Sequence, residues 1–411
     1  MQKVAVFVLT GLGALGVAAI GTLVPETVRA EQFSREVGVP LQEAKKAMDR
    51  KQFDAALVQL KKAQGVPGKK PHEDYVINEM LTYVYTQQKN YPEAIRAIEA
   101  NLAAGRASPA DVAAKQKTLT QMYVATRNWP KVIQYGNNWV KANPGDAEGY
   151  YQLAQAYSQA GQHKNAVRTI QQALDLNSKA GKKPEQNWLV LKLDSQHKVS
   201  PPDEEGIIET REMLVRHYPS KDNWKAVLAK IYNQPSNDDL ATLNLLRLML
   251  DLDLLEKPAD YKDMAEMAIA GGMPAEAVVV LEKGFANKTL EVKDKERYVR
   301  LLNNAKIQVQ ASTAETAKLE AEAKGAATGE ADVKLGSRYL ASGEYQKAVA
   351  ALNRGLQKGG FKGQDEAHMM LGRAHLKLKE KDKARKAFGA VPDDSKLAQV
   401  AQLWGVYAAQ S

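Results

Sequence analysis

The chain has 411 residues with a formal net charge of +9; 44% of them are hydrophobic and only 7% are aromatic. It contains no cysteine, which excludes disulfides, cysteine-ligated zinc and thiol catalysis. Alanine is abundant, and apolar residues rarely alternate with polar ones beyond the first segment, so the sequence predicts an all-α protein.

The first 30 residues predict an export signal. Lys3 supplies a positive start, and residues 4–24 form an apolar stretch. Val28 and Ala30 are residues of the small or medium size that suits a cleavage site, so we expect cleavage after Ala30 and a periplasmic or secreted protein. The alternative is that the apolar stretch, roughly 20 residues long, stays as an N-terminal membrane anchor.

The same segment contains the spacing G-x-G-x-x-G at Gly11, Gly13 and Gly16. A dinucleotide-binding loop would need a long amphipathic helix and then a second parallel strand after these glycines. Gly21 and Pro25 interrupt any such helix, and no strand pattern follows. We therefore predict no nucleotide cofactor, and no other cofactor.

A repeated pattern occupies the rest of the chain. Four clear copies are "NYPEAIRAIEANL" from Asn90, "GQHKNAVRTIQQAL" from Gly161, "GMPAEAVVVLEKGF" from Gly272 and "GEYQKAVAALNRGL" from Gly343. The small or aliphatic anchor residues of the eight clear repeats are Ala56, Ala94, Val132, Ala166, Ala241, Ala277, Ala348 and Ala384. Two intervals are twice as long as the others and predict two degenerate repeats, one around Ile207 and one near Ala314.

A period near 34 residues with a small residue, a tyrosine and an anchoring alanine is typical of the tetratricopeptide repeat. The sequence is therefore identified as a tetratricopeptide-repeat chain, which implies a right-handed superhelical solenoid of antiparallel helix pairs. The segment "DDSKLAQVAQLWGVYAA" from Asp393 predicts a C-terminal capping helix, with Ser395 as its N-cap.

Interruptions of the pattern suggest three blocks. Residues 37–178 predict an N-terminal block of about four repeats, residues 179–327 a divergent repeat-like middle, and residues 328–411 a C-terminal repeat pair with the capping helix. The stretches "NSKAGKKPEQ" from Asn177 and "KVSPPDEEG" from Lys198 are rich in lysine, proline and glycine and predict breaks. "EAEAKGAATGEAD" from Glu320 predicts a lightly packed helix end and a loop.

No catalytic pattern is present, since the sequence contains neither G-x-S-x-G, nor H-E-x-x-H, nor a phosphate-binding G-x-x-x-x-G-K-[ST]. We therefore expect no enzyme activity. His368 and His375 are seven residues apart, about 10 Å along a helix, and cannot share one metal ion. We predict that both pack in the core and that the chain holds no metal.

The basic run "LKLKEKDKARK" from Leu376 is interrupted by Glu380 and Asp382 and predicts a solvated hairpin face. The alternative is weak contact with an anionic membrane surface. Nucleic acid is not an expected partner, because no aromatic residues interleave the lysines.

The first helix of each repeat is expected to line a concave groove. The repeat register predicts seven inward-facing residues: Glu79, Tyr83, Lys117, Gln121, Tyr151, Gln155 and Ser158. Tyrosine rings and glutamine amides suit an extended peptide, so these residues are candidates for a peptide-binding groove. A simple solvated surface is the alternative.

Beyond the repeat itself, the layout resembles periplasmic tetratricopeptide proteins associated with TonB energy-transduction systems. The resemblance rests on "YVINEMLTYVYTQQKNYPEAI", "YPSKDNWKAVLAKIY", "ADYKDMAEMAIAGGMPAEAVVVLEKGF", "YVRLLNNAKIQ", "LGRAHLKLKEKDKARKAF" and "QLWGVYAA", and covers most of residues 35–410. It implies a periplasmic scaffold in a TonB-type complex and transfers no binding residues. The alternative is an accessory protein for cell-envelope assembly or polysaccharide export.

Overall fold

The computed structural model describes residues 33–234 and 238–411, and every regular element in those ranges is an α-helix. The all-α prediction is confirmed. The chain forms two compact units, one ending at Ser200 and the other beginning at Pro201. This boundary lies within the proline-containing stretch from Lys198. The predicted limits of the three blocks stay predictions, and the predicted signal segment 1–30 lies outside the described residues.

The first unit contains nine helices within its described residues. They are α1 (Arg35–Asp49), α2 (Phe53–Gln64), α3 (Pro71–Gln87), α4 (Tyr91–Ala103), α5 (Pro109–Ala125), α6 (Trp129–Ala142), α7 (Ala147–Gln159), α8 (His163–Lys179) and α9 (Gln186–Lys198). Each helix packs against the next, and α7 also contacts α9. The arrangement is a stack of helix pairs, because one pair cannot bury its apolar face alone.

The predicted anchor residues of this unit are in its core. Ala56, Ala94 and Ala166 are fully buried, and Val132 is 2% exposed. Each lies on the second helix of its pair, where a small side chain allows close packing against the first helix. These four positions are therefore core positions, as the repeat pattern predicted.

In each of these four pairs, the turn between the two helices contains one residue with a left-handed backbone conformation. The residues are Lys51 (φ 58°), Lys89 (φ 56°), Arg127 (φ 54°) and Gly161 (φ 73°). Glycine adopts this backbone conformation without strain, whereas a residue with a Cβ atom does not. Three of the four turns therefore hold a strained lysine or arginine, whose side chain points to solvent.

We expect Lys89→Gly to stabilise the first unit by about 0.5–1 kcal/mol, because it removes the left-handed strain at a helix C-terminus. Lys89 is exposed, so little packing is lost. Urea denaturation monitored by circular dichroism measures the change. The reverse substitution, Gly161→Ala, is the control and should destabilise by a similar amount. A Lys89→Gly variant that is less stable than the parent would contradict this interpretation of the turn.

The second unit contains eleven helices within its described residues. They are α10 (Glu204–His217), α11 (Lys221–Tyr232), α12 (Asp239–Asp251), α13 (Pro258–Ala270), α14 (Pro274–Ala286), α15 (Lys295–Gly325), α16 (Glu330–Ala341), α17 (Tyr345–Lys358), α18 (Gln364–Lys377), α19 (Lys381–Phe388) and α20 (Ala398–Gln410). Consecutive helices pack against one another here as well. The anchors Ala277, Ala348 and Ala384 are fully buried and Ala241 is 1% exposed. None of the helices in either described range is long and apolar enough to cross a membrane.

The two degenerate repeats have different outcomes. Ile207 is fully buried on α10, as an anchor residue should be. The helix pair predicted near Ala314 is wrong, because residues 295–325 form the single 31-residue helix α15. The segment "NNAKIQVQASTAETAKLEAEAKG" contains neither proline nor an internal glycine, so nothing in it ends the helix before Gly325. The loop predicted after Glu320 begins there.

The C-terminal helix α20 does more than cover the last repeat. It packs on α19, as a cap should, and also contacts α10 and α12 at the start of the same unit. Its predicted apolar face is buried, with Leu397, Val400 and Leu403 each 1% exposed. Ser395 is not the N-cap, which is Leu397; its Oγ instead accepts a hydrogen bond from the Leu397 N–H at 3.0 Å and donates one to Asp365 at 2.6 Å.

Candidate functional site

The predicted groove residues lie on the first helices of three consecutive repeats, α3, α5 and α7. Their exposure differs. Lys117 and Gln121 on α5 are exposed, four others are half-buried, and Glu79 is buried with 5% of its surface accessible. The half-buried residues are Tyr83, Tyr151, Gln155 and Ser158.

Two of the three residues on α7, Tyr151 and Ser158, contact α9. The Tyr151 ring stacks on Trp188 with centroids 5.4 Å apart. The Tyr151 hydroxyl oxygen accepts hydrogen bonds from the Gln155 amide at 2.7 Å and from Asn187 at 3.0 Å. Ser158 lies at hydrogen-bond distance, 3.5 Å, from the fully buried Ser195. Spacings of four and three residues put these side chains on one face of α7, and their role in a groove stays a prediction.

The Tyr83 ring on α3 packs against a residue of the preceding repeat. Its ring meets Phe53, the first residue of α2, edge to face, with centroids 6.2 Å apart. Such a pair holds the tyrosine ring in one orientation and leaves part of its face accessible. A ring held in this way can support a ligand without a large ordering cost.

Glu79 lies in a buried polar network and not on an open surface. Its Oε1 accepts hydrogen bonds from Asn101 at 2.6 Å and from Lys115 at 2.7 Å. Asn101 is fully buried and also donates to the Tyr75 carbonyl at 3.0 Å. These contacts join α3, α4 and α5, so the Glu79 carboxylate serves to align three helices.

The ammonium group of Lys115 stays charged in this network. Burial by itself lowers the pKa of Lys115, but the adjacent Glu79 carboxylate outweighs that effect, and the pKa lies above its ordinary value. One residue in the sequence points to this network. Asn101 follows Ala94 and Ile98 at helical spacing on the apolar side of α4, and a polar residue in such a position needs a partner.

The second unit contains a buried ionic cluster that the sequence did not predict. Arg247 on α12 is 2% exposed, and its Nε and Nη2 bind the two oxygens of Glu276 on α14 at 2.9 and 2.5 Å. Arg373 on α18 donates to Glu276 Oε1 at 2.6 Å. Burial raises the pKa of Glu276, but the two guanidinium groups outweigh it and lower the pKa to about 2. The cluster therefore links α18 to two helices about 100 residues earlier in the chain.

The predicted histidine and lysine features lie on α18 and α19. His375 is 6% exposed with its Nδ1 2.6 Å from Glu380 Oε2, and burial lowers the pKa of the half-buried His368.

The basic run is partly neutralised, because Lys377 pairs with Asp251 on α12 at 2.9 Å and Lys383 pairs with Glu380 at 2.7 Å. The exposed cations Lys379, Lys381 and Lys386 remain on its surface.

Two segments match family models of the tetratricopeptide repeat, residues 147–179 and residues 333–395. The first contains α7 and α8, and the second contains most of α16 together with α17, α18 and α19. The chain therefore carries tetratricopeptide repeats, as the sequence predicted. Chains with this repeat act in general as protein-interaction scaffolds. No curated protein matches the sequence significantly.

Solved structures of other repeat proteins are similar to the chain at low identity. MamA from Desulfovibrio magneticus RS-1 is 16% identical, with 50% of this chain and 99% of MamA covered and a TM-score of 0.29. A tetratricopeptide repeat protein from Parabacteroides merdae is 13% identical, with coverage of 83% and 99% and a TM-score of 0.32. The TPR2AB domain of yeast Sti1, in complex with pHSP90, is 14% identical, with coverage of 74% and 100% and a TM-score of 0.25. Likenesses at this level carry no information about a partner of this chain.

Proposed function

We propose that the protein is a non-catalytic scaffold that binds an extended peptide segment of a partner protein along α3, α5 and α7. The observation that carries the proposal is the Tyr151 cluster. A half-exposed ring stacked on Trp188 and bordered by the amides of Gln155 and Asn187 offers apolar area beside hydrogen-bonding groups. A peptide backbone needs both, because its amides must keep hydrogen-bond partners when it leaves water.

The exposed residues of α5 extend this surface toward the preceding repeat. Lys117 and Gln121 lie one helical turn apart, and Tyr83 on α3 adds a second supported ring. Because Glu79 is engaged with Asn101 and Lys115, Lys117 supplies an accessible positive charge on α5. We therefore propose a peptide that carries a carboxylate near its contact with α5.

The cellular setting is part of the same proposal. The export-type start of the chain and the resemblance of residues 35–410 to periplasmic proteins of TonB systems support a periplasmic scaffold in a TonB-type energy-transduction complex. The alternative proposal is an accessory protein for cell-envelope assembly or polysaccharide export that acts through its exposed lysines. Lys379, Lys381 and Lys386 favour that alternative, because no acidic side chain neutralises them among the described residues.

The test is capture of proteins from an envelope extract by the parent chain and by a Lys117→Glu, Gln121→Ala variant. We expect the variant to lose at least about 80–90% of the captured partner, since the substitutions replace an attractive charge by a repulsive one in the contact. The matched control is Lys164→Glu. Lys164 is exposed on α8 of the same unit, so the net charge changes equally.

Three outcomes separate the proposals. Loss of capture in the α5 variant with full capture in the Lys164→Glu control supports the peptide surface. Equal capture by all three proteins would exclude α5 as the contact. Capture of an anionic polysaccharide or lipid that 0.5 M salt abolishes would support the envelope alternative, because long-range charge attraction is screened at that ionic strength.

A further inference from the structure

Among the described residues, helix α1 has neighbouring helices on one side only. Its apolar residues face the core of the first unit: Val37, Leu41, Ala44 and Met48. At its start, the Ser34 N–H donates a hydrogen bond at 2.5 Å to Oε1 of Glu73, a buried carboxylate in the first turn of α3. Within the described ranges no helix precedes α1, so no preceding repeat covers its opposite face there.

The opposite face of α1 combines basic residues with an exposed valine. Four exposed residues lie on it: Arg35, Val39, Lys46 and Arg50. At about 100° per residue, their positions fall within about 60° of one another around the helix. Val39 is 53% exposed. A terminal repeat needs a polar outer face to keep a stack in solution, so stacking of repeats does not account for a valine in the middle of this face.

The first helix pair carries much of the positive charge of the protein. Residues 33–70 contain nine lysines or arginines and four acidic residues, a net charge of +5, whereas the whole chain has +9. The side chains of five of these cations form no ion pair or hydrogen bond with any described residue: Arg35, Lys45, Arg50, Lys51 and Lys62. Lys46 pairs with Glu43 at 2.7 Å. Two exposed carboxylates in this segment, Glu36 and Asp49, form no ion pair with a described residue either, so accessible cations stay in excess.

Helix α2 continues the combination of lysines and exposed apolar side chains. Val58 is 54% exposed, and the exposed Lys62 lies one helical turn after it. A groove of about 660 Å³ is lined by Asp54, Leu57, Val58, Lys61 and Lys62. Of the seven large hydrophobic residues that are exposed in the described ranges, three lie in residues 33–58: Phe33, Val39 and Val58. Exposed apolar side chains grouped in this way mark an interaction surface.

Charge and apolar exposure together fit the surface of a membrane that contains anionic phospholipids. Lysines and arginines close to such a surface are attracted by its negative potential. Apolar side chains on the same face enter the boundary between headgroups and acyl chains. A soluble polyanion, such as an acidic polysaccharide, would bind the cations but would leave Val39 and Val58 in water. Anionic lipid is therefore the occupant that accounts for both features.

We infer that the first helix pair docks on an anionic phospholipid surface, with Val39 in the headgroup layer and Arg35 and Arg50 near lipid phosphates. Val58 and Lys62 of α2 extend the contact. This surface is separate from the peptide surface on α3, α5 and α7 and from the basic run on α18 and α19. The inference does not depend on a peptide partner.

Binding of the full chain to sucrose-loaded vesicles tests the proposal. Vesicles of phosphatidylcholine alone are compared with vesicles that contain about one third phosphatidylglycerol. The partition coefficient should be at least about tenfold larger for the anionic vesicles, and it should fall in about 0.5 M salt, because that ionic strength screens the attraction. Binding to the neutral vesicles measures any contribution of the apolar stretch 4–24, which contains no charged residue.

Charge reversal locates the contact. An Arg35→Glu, Arg50→Glu variant should bind the anionic vesicles at least about tenfold more weakly, because two attracted cations become repelled carboxylates. The matched control is a Lys379→Glu, Lys381→Glu variant. It changes two exposed lysines at the turn between α18 and α19, alters the net charge equally, and should bind as the parent chain does.

A fluorophore at position 39 reports whether the valine of this face enters the lipid. Because the chain contains no cysteine, a Val39→Cys variant accepts a single NBD label. The emission should gain at least about twofold in intensity and shift to shorter wavelength with anionic vesicles, because the label leaves water. The matched control is Val190→Cys on α9, where the valine is 48% exposed; its label should not respond.

Four results would overturn the proposal. Equal partition into neutral and anionic vesicles would show that positive charge does not drive binding. Loss of binding in the Lys379, Lys381 variant, with the Arg35, Arg50 variant unaffected, would assign the contact to α18 and α19. A label at position 39 that does not respond while the chain binds vesicles would exclude insertion of this face. A label already shielded before vesicles are added would show that another part of the chain or a second copy covers it.

Discussion

Glu276→Gln is expected to lower the free energy of unfolding of the second unit by about 3–5 kcal/mol. The substitution leaves Arg247, which is 2% exposed, and Arg373 without their counter-charge in the protein interior. A buried charge that loses its partner keeps the full cost of its lost hydration. Urea denaturation monitored by tryptophan fluorescence measures the change, since Trp224 and Trp404 both lie in this unit.

The control is Glu282→Gln, which removes an exposed carboxylate of the same helix that pairs with Lys306 at 2.8 Å. An exposed pair contributes about 0–1 kcal/mol, so this variant should unfold close to the parent. A triple variant, Arg247→Met, Glu276→Leu and Arg373→Met, tests the cause. It should recover most of the stability, because no uncompensated charge remains. A triple variant as unstable as Glu276→Gln would refute the electrostatic explanation.

The same cluster predicts that the free energy of unfolding of the second unit decreases at acid pH. The pKa of Glu276 is lowered to about 2 in the folded protein, whereas an unfolded glutamate titrates near 4.3. The stabilisation is therefore complete above about pH 4.5 and is lost as the pH falls toward 2. The Glu276→Gln variant should lose less stability than the parent across that range.

Trp404→Ala is expected to destabilise the second unit by about 3–5 kcal/mol, the usual cost of removing a large aromatic side chain from a core. Trp404 is fully buried, stacks on Phe388 with centroids 5.6 Å apart, and donates a hydrogen bond to the Asn244 carbonyl at 3.1 Å. The substitution leaves a large cavity between α12, α19 and α20 and removes the hydrogen bond to the Asn244 carbonyl. The midpoint of urea denaturation by circular dichroism reports the loss.

Two further variants show whether burial is the cause. Gln402→Ala changes an exposed residue on the same helix and should have little effect. Trp404→Phe keeps most of the ring packing but loses the hydrogen bond, so it should cost less than Trp404→Ala. If Trp404→Ala unfolded at the same urea concentration as Gln402→Ala, α20 would be a detachable cap, and its contacts with α10 and α12 would contribute little.

Local pattern was enough to predict the helix pairs. The anchoring alanines recur at the repeat period, and those tested by the structure are buried because only a small side chain permits close helix packing at that position. The apolar face of α20 was also visible, since Leu397, Val400 and Leu403 follow helical spacing.

The repeat pattern gave a wrong prediction for residues 295–325, where the chain has no turn between two helices. Residues 295–325 have the length of a repeat but contain no residue that stops a helix before Gly325. We predicted a helix pair in this segment, but the chain forms one continuous helix there.

By itself, the sequence determined the helical class, the positions of the paired helices and the small residues at their contacts, because all of these depend on neighbours within one repeat. Only the tertiary structure decided the partners of Glu79, the meeting of Arg247, Glu276 and Arg373, and the docking of α20 on α10 and α12. Those contacts join residues as far apart as 195 positions, for example the Gln410 amide and the Val215 carbonyl. No local periodicity encodes such distances, because they depend on how small rotations between successive repeats accumulate along the stack.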